Sequence, residues 1–241
     1  VYFAGANILV LPLYHTFAFI GVLCVLFSGR TISINRNLKD FKEDLIRYKP
    51  QNLILVPMIV ESLYKQIWMQ AKKKKQDDIL HILIRISDFF LKIGIDLRRV
   101  LFSSIHKSFG GNLEFIVTGG ASIPDKYVKG FRSFGMQILN GYGISECSPV
   151  VTVNRNHYFR DNSVGQALDG VQIKIADDEI LVKGDIVFSG YYQNESETNE
   201  AFQDGWFKTS DLGYLDNDGF LYITGRKKYV IVLSWNIIFM L

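Results

Sequence analysis

Between Asn7 and about Tyr142, short apolar runs alternate with longer amphipathic ones, and this alternation is the strongest restriction on the fold. "NILVLPL" reads as a strand, His15 to Ser28 as a helix, "RTISI" as a strand and "LKDFKEDLIRYK" as a helix. "QNLILVP" follows as a strand with a proline stop, then a helix through Met58 to Lys75 and a long helical region from Ile79 to Phe109. "NLEFIVTGG", "DKYVKGFRSF" and "MQILNGYG" complete the series as strand, helix and strand. Strands that alternate with helices predict an α/β fold with a largely parallel sheet covered on its faces.

Past about Val150 the texture changes to short runs punctuated by turn residues, which predicts a smaller, mostly β part. Asp216-Asn217-Asp218-Gly219, between "LGYL" and "FLYI", predicts a hairpin. The expected division is an α/β part over 1–150, a β-rich subdomain over 151–225, and a hinge with an apolar tail over 226–241. With 241 residues, 48% of them hydrophobic and 21% charged, the chain can bury one large core or two small ones.

One segment competes with this reading. Ile8 to Phe27 is almost free of polar groups and is long enough to span a bilayer as a helix. Pro12, His15 and Gly21 interrupt it, and a buried strand followed by a buried helix accounts for the same run. The remaining partner classes are narrowed by charge and cysteine content. The net charge of +3 owes much to Lys72–Lys75, which read as the solvated end of a helix without the interleaved aromatics of a nucleic-acid surface. Cys24 and Cys147 form no CxxC pair, so neither a disulfide framework nor a zinc site is expected and a reducing cytoplasm is the natural setting. The chain opens at Val1 without methionine or basic leader, which reads as mid-protein and without a signal peptide.

Three constellations carry chemistry. In "NGYGISECSP" a predicted strand ends in Gly141-Tyr142-Gly143, at the carboxyl edge where open α/β sheets bind ligands. The glycines allow close backbone approach and Tyr142 offers a flat face for a base. Ser145 offers a hydroxyl to phosphate, and Glu146 a hard oxygen to Mg²⁺. An ordinary turn with a solvated Glu146 fits equally well, and no histidine is placed by sequence to activate Cys147. "TGGASIP", from Thr118, repeats the strand-end pattern; it is either a ligand cradle or a tight turn before a helix. Neither GxxxxGK[ST] nor GxGxxG is present. Finally, the hairpin returns Asp211 and Arg226 to the same place, a pair suited to a ribose diol or to a plain structural ion pair.

Taken in order, "LPLYHTFAF", "VTGGASIP", "NGYGISECSPV" and "GWFKTSDLGYLDNDGFLYITGRKK" resemble the motifs of the adenylate-forming superfamily, and within it the bacterial long-chain fatty-acid–CoA ligases. The resemblance implies part of the large N-terminal domain of an acyl-CoA synthetase, with the β-rich subdomain barrel-like. It also implies activation of a fatty acid by ATP, through acyl-AMP, and transfer to coenzyme A, with Mg²⁺ as cofactor. Carried over by position, Tyr142 would stack on adenine, with Gly120, Ala121 and Ile223 lining that pocket and Gly141 and Gly143 flanking it. Glu146 would bind Mg²⁺, Ser145 (where the family usually has threonine) phosphate oxygens, and Asp211 the ribose with help from Arg226. Lys228 falls at the hinge of the two half-reactions and His15 at the mouth of the acyl pocket.

Two departures stand against the family pattern. The Ser/Thr/Gly-rich phosphate loop that precedes "LPLYH" is absent, and after "RKKYVIVLS" the chain runs "WNIIFML" in place of an Asn-Gly-rich turn and a lysine-bearing small domain. The chain by itself is therefore expected to be catalytically incomplete. Two other functions remain open: adenylation of an aryl or amino acid within the same superfamily, and a degenerate nucleotide-binding remnant. For membranes, peripheral association through a hydrophobic patch, at the inner face, is expected over spanning.

Overall fold

The structure, a computed structural model, describes residues 3, 5–35, 37–227, 230–233 and 237–240. Lys228, the expected hinge residue, lies outside the described residues. The chain divides into two units: residues 1–141 with 155–157, and residues 142–154 with 158–241.

The first unit follows the alternation read from the sequence. Strands β1 (Ala6–Leu9), β2 (Thr31–Ile34), β3 (Asn52–Leu55), β4 (Phe115–Thr118) and β5 (Gln137–Tyr142) are interleaved with helices α1 (Thr16–Phe27), α2 (Phe41–Tyr48), α3 (Pro57–Lys73), α4 (Asp77–Lys92), α5 (Arg98–Leu101), α6 (Ser103–Ser108) and α7 (Asp125–Ser133). The strands run in the order β2-β1-β3-β4-β5, all parallel. Every residue of β3 and β4 is buried, as expected of central strands covered on both faces. On one face, Phe102, Phe109, Phe131, Phe134 and Met136 close around Leu53, Leu55 and Ile116. The long helical region read from Ile79 to Phe109 is divided into α4, α5 and α6. Gly94 adopts φ +83°, a conformation open to glycine and closed to a continuing helix, and α5 starts only after the turn that follows.

Helix α1 corrects the expectation of a buried helix. Only Ala18, Gly21 and Val25 are buried, one narrow stripe at i, i+3, i+7. A Cβ on Gly21 would lie 2.6 Å from Ile54 Cδ1, so small residues let the helix lie close on the sheet while the large ones face out. Phe19 is 51% and Phe27 97% exposed. No described helix is long and apolar enough to cross a membrane, because this apolar run is divided between β1, a turn and α1.

The second unit is mostly β. Strands β6 (Thr152–Val153) and β7 (Gln166–Ala167) pair antiparallel. The larger antiparallel sheet is built from β8 (Gln172–Ala176), β9 (Glu179–Lys183), β10 (Phe202–Gln203), β11 (Trp206–Leu215) and β12 (Leu221–Arg226), with helix α8 (Glu195–Ala201) before β10. Its order is β10-β11-β9-β8, with β12 on β11. The turn at 216–219 closes the β11/β12 hairpin: Gly219 has φ +78°, and the Asp216 carboxylate accepts from the backbone N–H groups of Asp218 and Phe220. Val151, Ile180, Val182, Phe207 and Leu221 form its core with Cys147. Backbone strands Val230–Leu233 and Ile237–Met240 form a further antiparallel pair.

Candidate functional site

In the first unit the parallel strands send their carboxyl ends to one edge, and Gly120, Ala121, Gly141 and His15 lie at or after those ends. Gly120 and Ala121 follow β4 and are exposed; Gly120 takes φ +79°, and a Cβ added to it would meet nothing within 4 Å. Gly141 is the penultimate residue of β5, and a Cβ on Gly119 would lie 3.4 Å from its carbonyl oxygen. The two strand ends thus approach each other closely with open space beside Gly120. His15 follows β1 as the residue before α1, exposed, its ring 4.6 Å from that of Tyr14.

In the second unit Tyr142, Asp211 and Arg226 come together. Asp211 and Arg226 are directly opposed across the antiparallel β11/β12 pair, so the register of the hairpin makes the contact. Arg226 Nε donates to Asp211 Oδ1 at 2.6 Å and the Tyr142 hydroxyl to Asp211 Oδ2 at 2.7 Å. Asp211 is buried to 3% of its side chain while Arg226 remains 52% exposed, so the pair is buried at one end only. Burial, and then the Asp211 charge, push the Tyr142 phenol far above its ordinary range, so it stays a hydrogen-bond donor. The Asp211 backbone N–H donates to Thr209 Oγ1, whose hydroxyl donates to the Ile180 carbonyl.

Beyond Tyr142 the backbone turns sharply. A side chain on Gly143 would collide with the Pro149 carbonyl, so glycine is required by the close return of the chain. A single 3₁₀ turn, Ser145–Cys147, then leaves Ser145 exposed, Glu146 half-buried and Cys147 buried. Burial pushes the Cys147 thiol up to about 12, which keeps it protonated and makes it a packing residue. Ile223 is half-buried against the same core and pairs with Gly213.

Two further groups carry no signal in the spacing of the sequence. Tyr191 donates its hydroxyl to Glu146 Oε1 at 3.3 Å across a separation of 45 positions; burial and the Glu146 charge raise its own phenol. Glu179, 7% exposed, accepts from the Ser210 N–H at 2.8 Å and from Lys227 Nζ at 2.7 Å. That contact fixes the residue next to Arg226, and Ser210 takes φ +59° to present its N–H.

With that geometry in view, comparison with known proteins is decisive on ancestry. The family described as "AMP-binding enzyme" matches residues 5–192. The chain belongs to the AMP-binding enzyme family. Its relatives include the long-chain-fatty-acid–CoA ligase FadD15 of Mycobacterium tuberculosis, 35% identical over 95% of this chain and 41% of that protein. They also include the long-chain-fatty-acid–CoA ligase of Salmonella typhimurium, 30% identical over 93% of this chain and 36% of that one. The chain thus spans about two fifths of the length of these relatives. Among solved structures, o-succinylbenzoate coenzyme A synthetase of Bacillus subtilis in complex with ATP and magnesium ion matches with TM-score 0.68 and 23% identity, over 95% of this chain and 43% of that one. The N-terminal domain of FACL13 from Mycobacterium tuberculosis matches with TM-score 0.68 and 20% identity, over 93% of this chain and 52% of that one. The fold of this AMP-binding chain is therefore that of part of an acyl-CoA synthetase N-terminal domain, a mostly parallel sheet with helices followed by an antiparallel sheet.

The donor set can be tested against the metal and nucleotide used by the family. No group of three or more His, Cys, Asp or Glu stands together among the described residues, so there is no all-protein cage for a divalent ion. Magnesium bound through one carboxylate and substrate phosphates needs none, and Glu146, half-buried with one oxygen engaged by Tyr191, fits that use. Asp211 fits a diol less directly. Both of its oxygens already accept a hydrogen bond, and a ribose must share their remaining lone pairs or displace Tyr142 or Arg226.

Proposed function

We propose that this chain carries the nucleotide site of an ATP-dependent ligase that activates a fatty acid and passes it to coenzyme A. A carboxylate oxygen of the acid attacks the α-phosphorus of ATP; the new C–O–P linkage forms as the bond to the β-phosphate oxygen breaks, giving acyl-AMP and pyrophosphate. The coenzyme A thiolate then attacks the acyl carbon and AMP leaves. No covalent bond to the protein is required, so its contribution is orientation and charge neutralisation. Magnesium, when bound, supplies Lewis-acid neutralisation of the phosphate oxygens.

The observation that carries the reading is the Tyr142–Asp211–Arg226 constellation, in which a flat ring, a carboxylate and a guanidinium meet at the base of the hairpin. In this reading Tyr142 offers its ring face to adenine, Asp211 and Arg226 the ribose contact, Ser145 a phosphate contact and Glu146 the metal contact. Gly120, Ala121, Gly141, Gly143 and Ile223 serve the nucleotide, His15 the acyl chain and Lys228 the hinge. The fatty-acid preference is supported by the relatives named for it. Ligation is proposed for the whole protein, and nucleotide binding for the chain described.

Calorimetric titration of AMP onto the chain tests the site, with Asp211→Ala and Tyr142→Ala as controls. Saturable binding that both variants weaken by about tenfold or more supports it; absent binding, or binding indifferent to both, overturns it. Hexadecanoate-dependent exchange of pyrophosphate into ATP by the whole protein tests the acid. Faster exchange with an aromatic acid would transfer the reading to aryl activation.

A further inference from the structure

Glu146 is held differently from the two buried carboxylates of its unit. Asp211 and Glu179 are each matched by a cation, Arg226 and Lys227. Glu146 forms no ion pair among the described residues. Its carboxylate instead accepts from a neutral hydroxyl, that of Tyr191 on Oε1, and Oε2 has no hydrogen-bond partner among the described residues. A neutral donor orients a carboxylate without cancelling its charge, whereas a guanidinium or an ammonium leaves little of it for a second cation.

The hold on Glu146 comes from one loop. Between β9 and α8 the chain grips the Ser145–Cys147 turn and the residue after it at three points. The Phe188 N–H donates to the Glu146 carbonyl oxygen at 2.8 Å, the Ser148 hydroxyl donates to the Ile186 carbonyl oxygen at 2.9 Å, and the Tyr191 hydroxyl reaches Glu146 Oε1 at 3.3 Å. Main chain and side chain of Glu146 are thus fixed by the same loop, and the loop is itself braced. The Tyr191 N–H donates at 2.9 Å to Thr198 Oγ1 of α8, whose hydroxyl donates to the Asn194 carbonyl oxygen. A Cβ on Gly190 would lie 2.6 Å from Thr198 Cγ2, so glycine lets the loop close on the helix. The Tyr191 ring meets Phe188 edge to face with centroids 4.8 Å apart, and Phe188 packs in turn on Phe202 and Phe207. With backbone and ring both held, the direction of the hydroxyl is set by packing. The 3.3 Å separation is longer than the usual hydroxyl–carboxylate contact and leaves slack that ligand binding can take up.

We propose that Tyr191 is a positioning residue for the metal contact: its hydroxyl engages one oxygen of Glu146 and leaves the other for the divalent cation that accompanies the nucleotide phosphates. The proposal rests on the reading of Glu146 as that contact and adds the residue that orients it. Removing a hydrogen bond behind a metal ligand weakens the metal about ten- to a hundredfold.

Calorimetric titration of the non-hydrolysable methylene analogue of ATP onto the chain, over a series of Mg²⁺ concentrations, tests it beside AMP titrated without metal. Tyr191→Phe keeps the ring on Phe188 and removes only the hydroxyl. It should raise the Mg²⁺ concentration needed for half-maximal triphosphate binding about tenfold, and AMP affinity should stay as in the native chain. Tyr192→Phe, at the exposed neighbouring tyrosine, should change neither. Mn²⁺ in place of Mg²⁺ adds a spectroscopic reading, since its electron paramagnetic resonance separates free from bound metal and should show the same shift. Native metal dependence in Tyr191→Phe overturns the proposal, as does an equal loss of AMP and triphosphate binding, which marks a merely structural role. Glu146→Gln keeps the two readings apart. If it raises the Mg²⁺ requirement and Tyr191→Phe does not, Glu146 stands as the metal contact and the role of Tyr191 falls; if it does not raise the requirement, the metal contact itself fails and the proposal with it.

Discussion

The two units hold their central strands in opposite ways. In the first, β4 is buried along its whole length and is enclosed by aromatic rings: Phe131 meets Phe109 at 6.0 Å between centroids, and Phe102 meets Phe134 at 5.3 Å. In the second, β9 and β11 bury the carboxylates Glu179 and Asp211 at strand positions that an apolar core would give to valine or leucine. A buried carboxylate is costly unless charged and neutral donors satisfy it, and each of these has one of both kinds. Apolar packing supplies stability without orienting any particular group. The carboxylates contribute less to stability but fix the directions of Tyr142, Arg226 and Lys227. The difference separates a unit built as a platform from a hairpin built to hold polar groups in place.

Phe131→Ala strikes the platform where nothing can refill the space, since the ring is fully buried among other rings. Chemical denaturation should show a loss of about 3–5 kcal/mol. Asp211→Ala should cost less, about 1–3 kcal/mol, because the half-exposed Arg226 can turn to water while the Tyr142 hydroxyl is left without its acceptor. A loss as large as that of Phe131→Ala would erase the distinction between the units.

The platform also buries polar side chains, among them Asn7, Asn52, Ser87, Thr118 and His106. His106 is 4% exposed, with Nε2 2.7 Å from the Phe134 carbonyl oxygen, and burial lowers its pKa below the ordinary 6.5, with Arg98 and Arg99 acting in the same direction. Between the lowered folded value and 6.5 the unfolded chain binds the extra proton, so stability rises with pH through this window and is lost as pH falls below 6.5. Melting temperatures recorded at about pH 7 and about pH 5 should differ more for the native chain than for His106→Gln, which titrates nothing at this position.

Tyr142→Phe sharpens the comparison from the other side. It keeps the ring and deletes one of the two donors to Asp211, so the expected loss is about 0.5–1.5 kcal/mol. AMP affinity should fall less than in Tyr142→Ala, because the ring face survives. At the bottom of the scale, Lys65→Ala removes the exposed Lys65–Glu61 pair on α3 and should not move the denaturation midpoint measurably.

Much of this was legible before any coordinates. Each strand and helix of the first unit falls on the run that periodicity assigned to it, with β1, α3 and α4 starting one or two residues earlier, because a strand buried on both faces and an amphipathic helix leave different apolar spacings. The Asp211–Arg226 contact was legible for a similar reason: a tight turn at 216–219 sets the register of two strands, and register decides which residues oppose. Tyr191 beside Glu146 and Lys227 beside Glu179 left no such trace. Their partners are separated by 45 and 48 positions, and no local pattern reports a contact made by the return of the chain through another element.

By itself, then, the sequence determined the order of elements, the hairpin and membership of the AMP-binding family, all of which depend on local spacing or on motifs read in order. Tertiary structure alone decided which side of each apolar segment meets the core. In α1 the small residues Ala18, Gly21 and Val25 face the sheet and leave Phe19 and Leu23 outside; in α4 two apolar faces compete and only the one with Leu80 and Ser87 is buried. It also decided that Asp211 is buried and Arg226 is not. Hydrophobicity is carried by each residue, but burial depends on how closely another surface can approach, and that is settled by the shape of the whole packed unit.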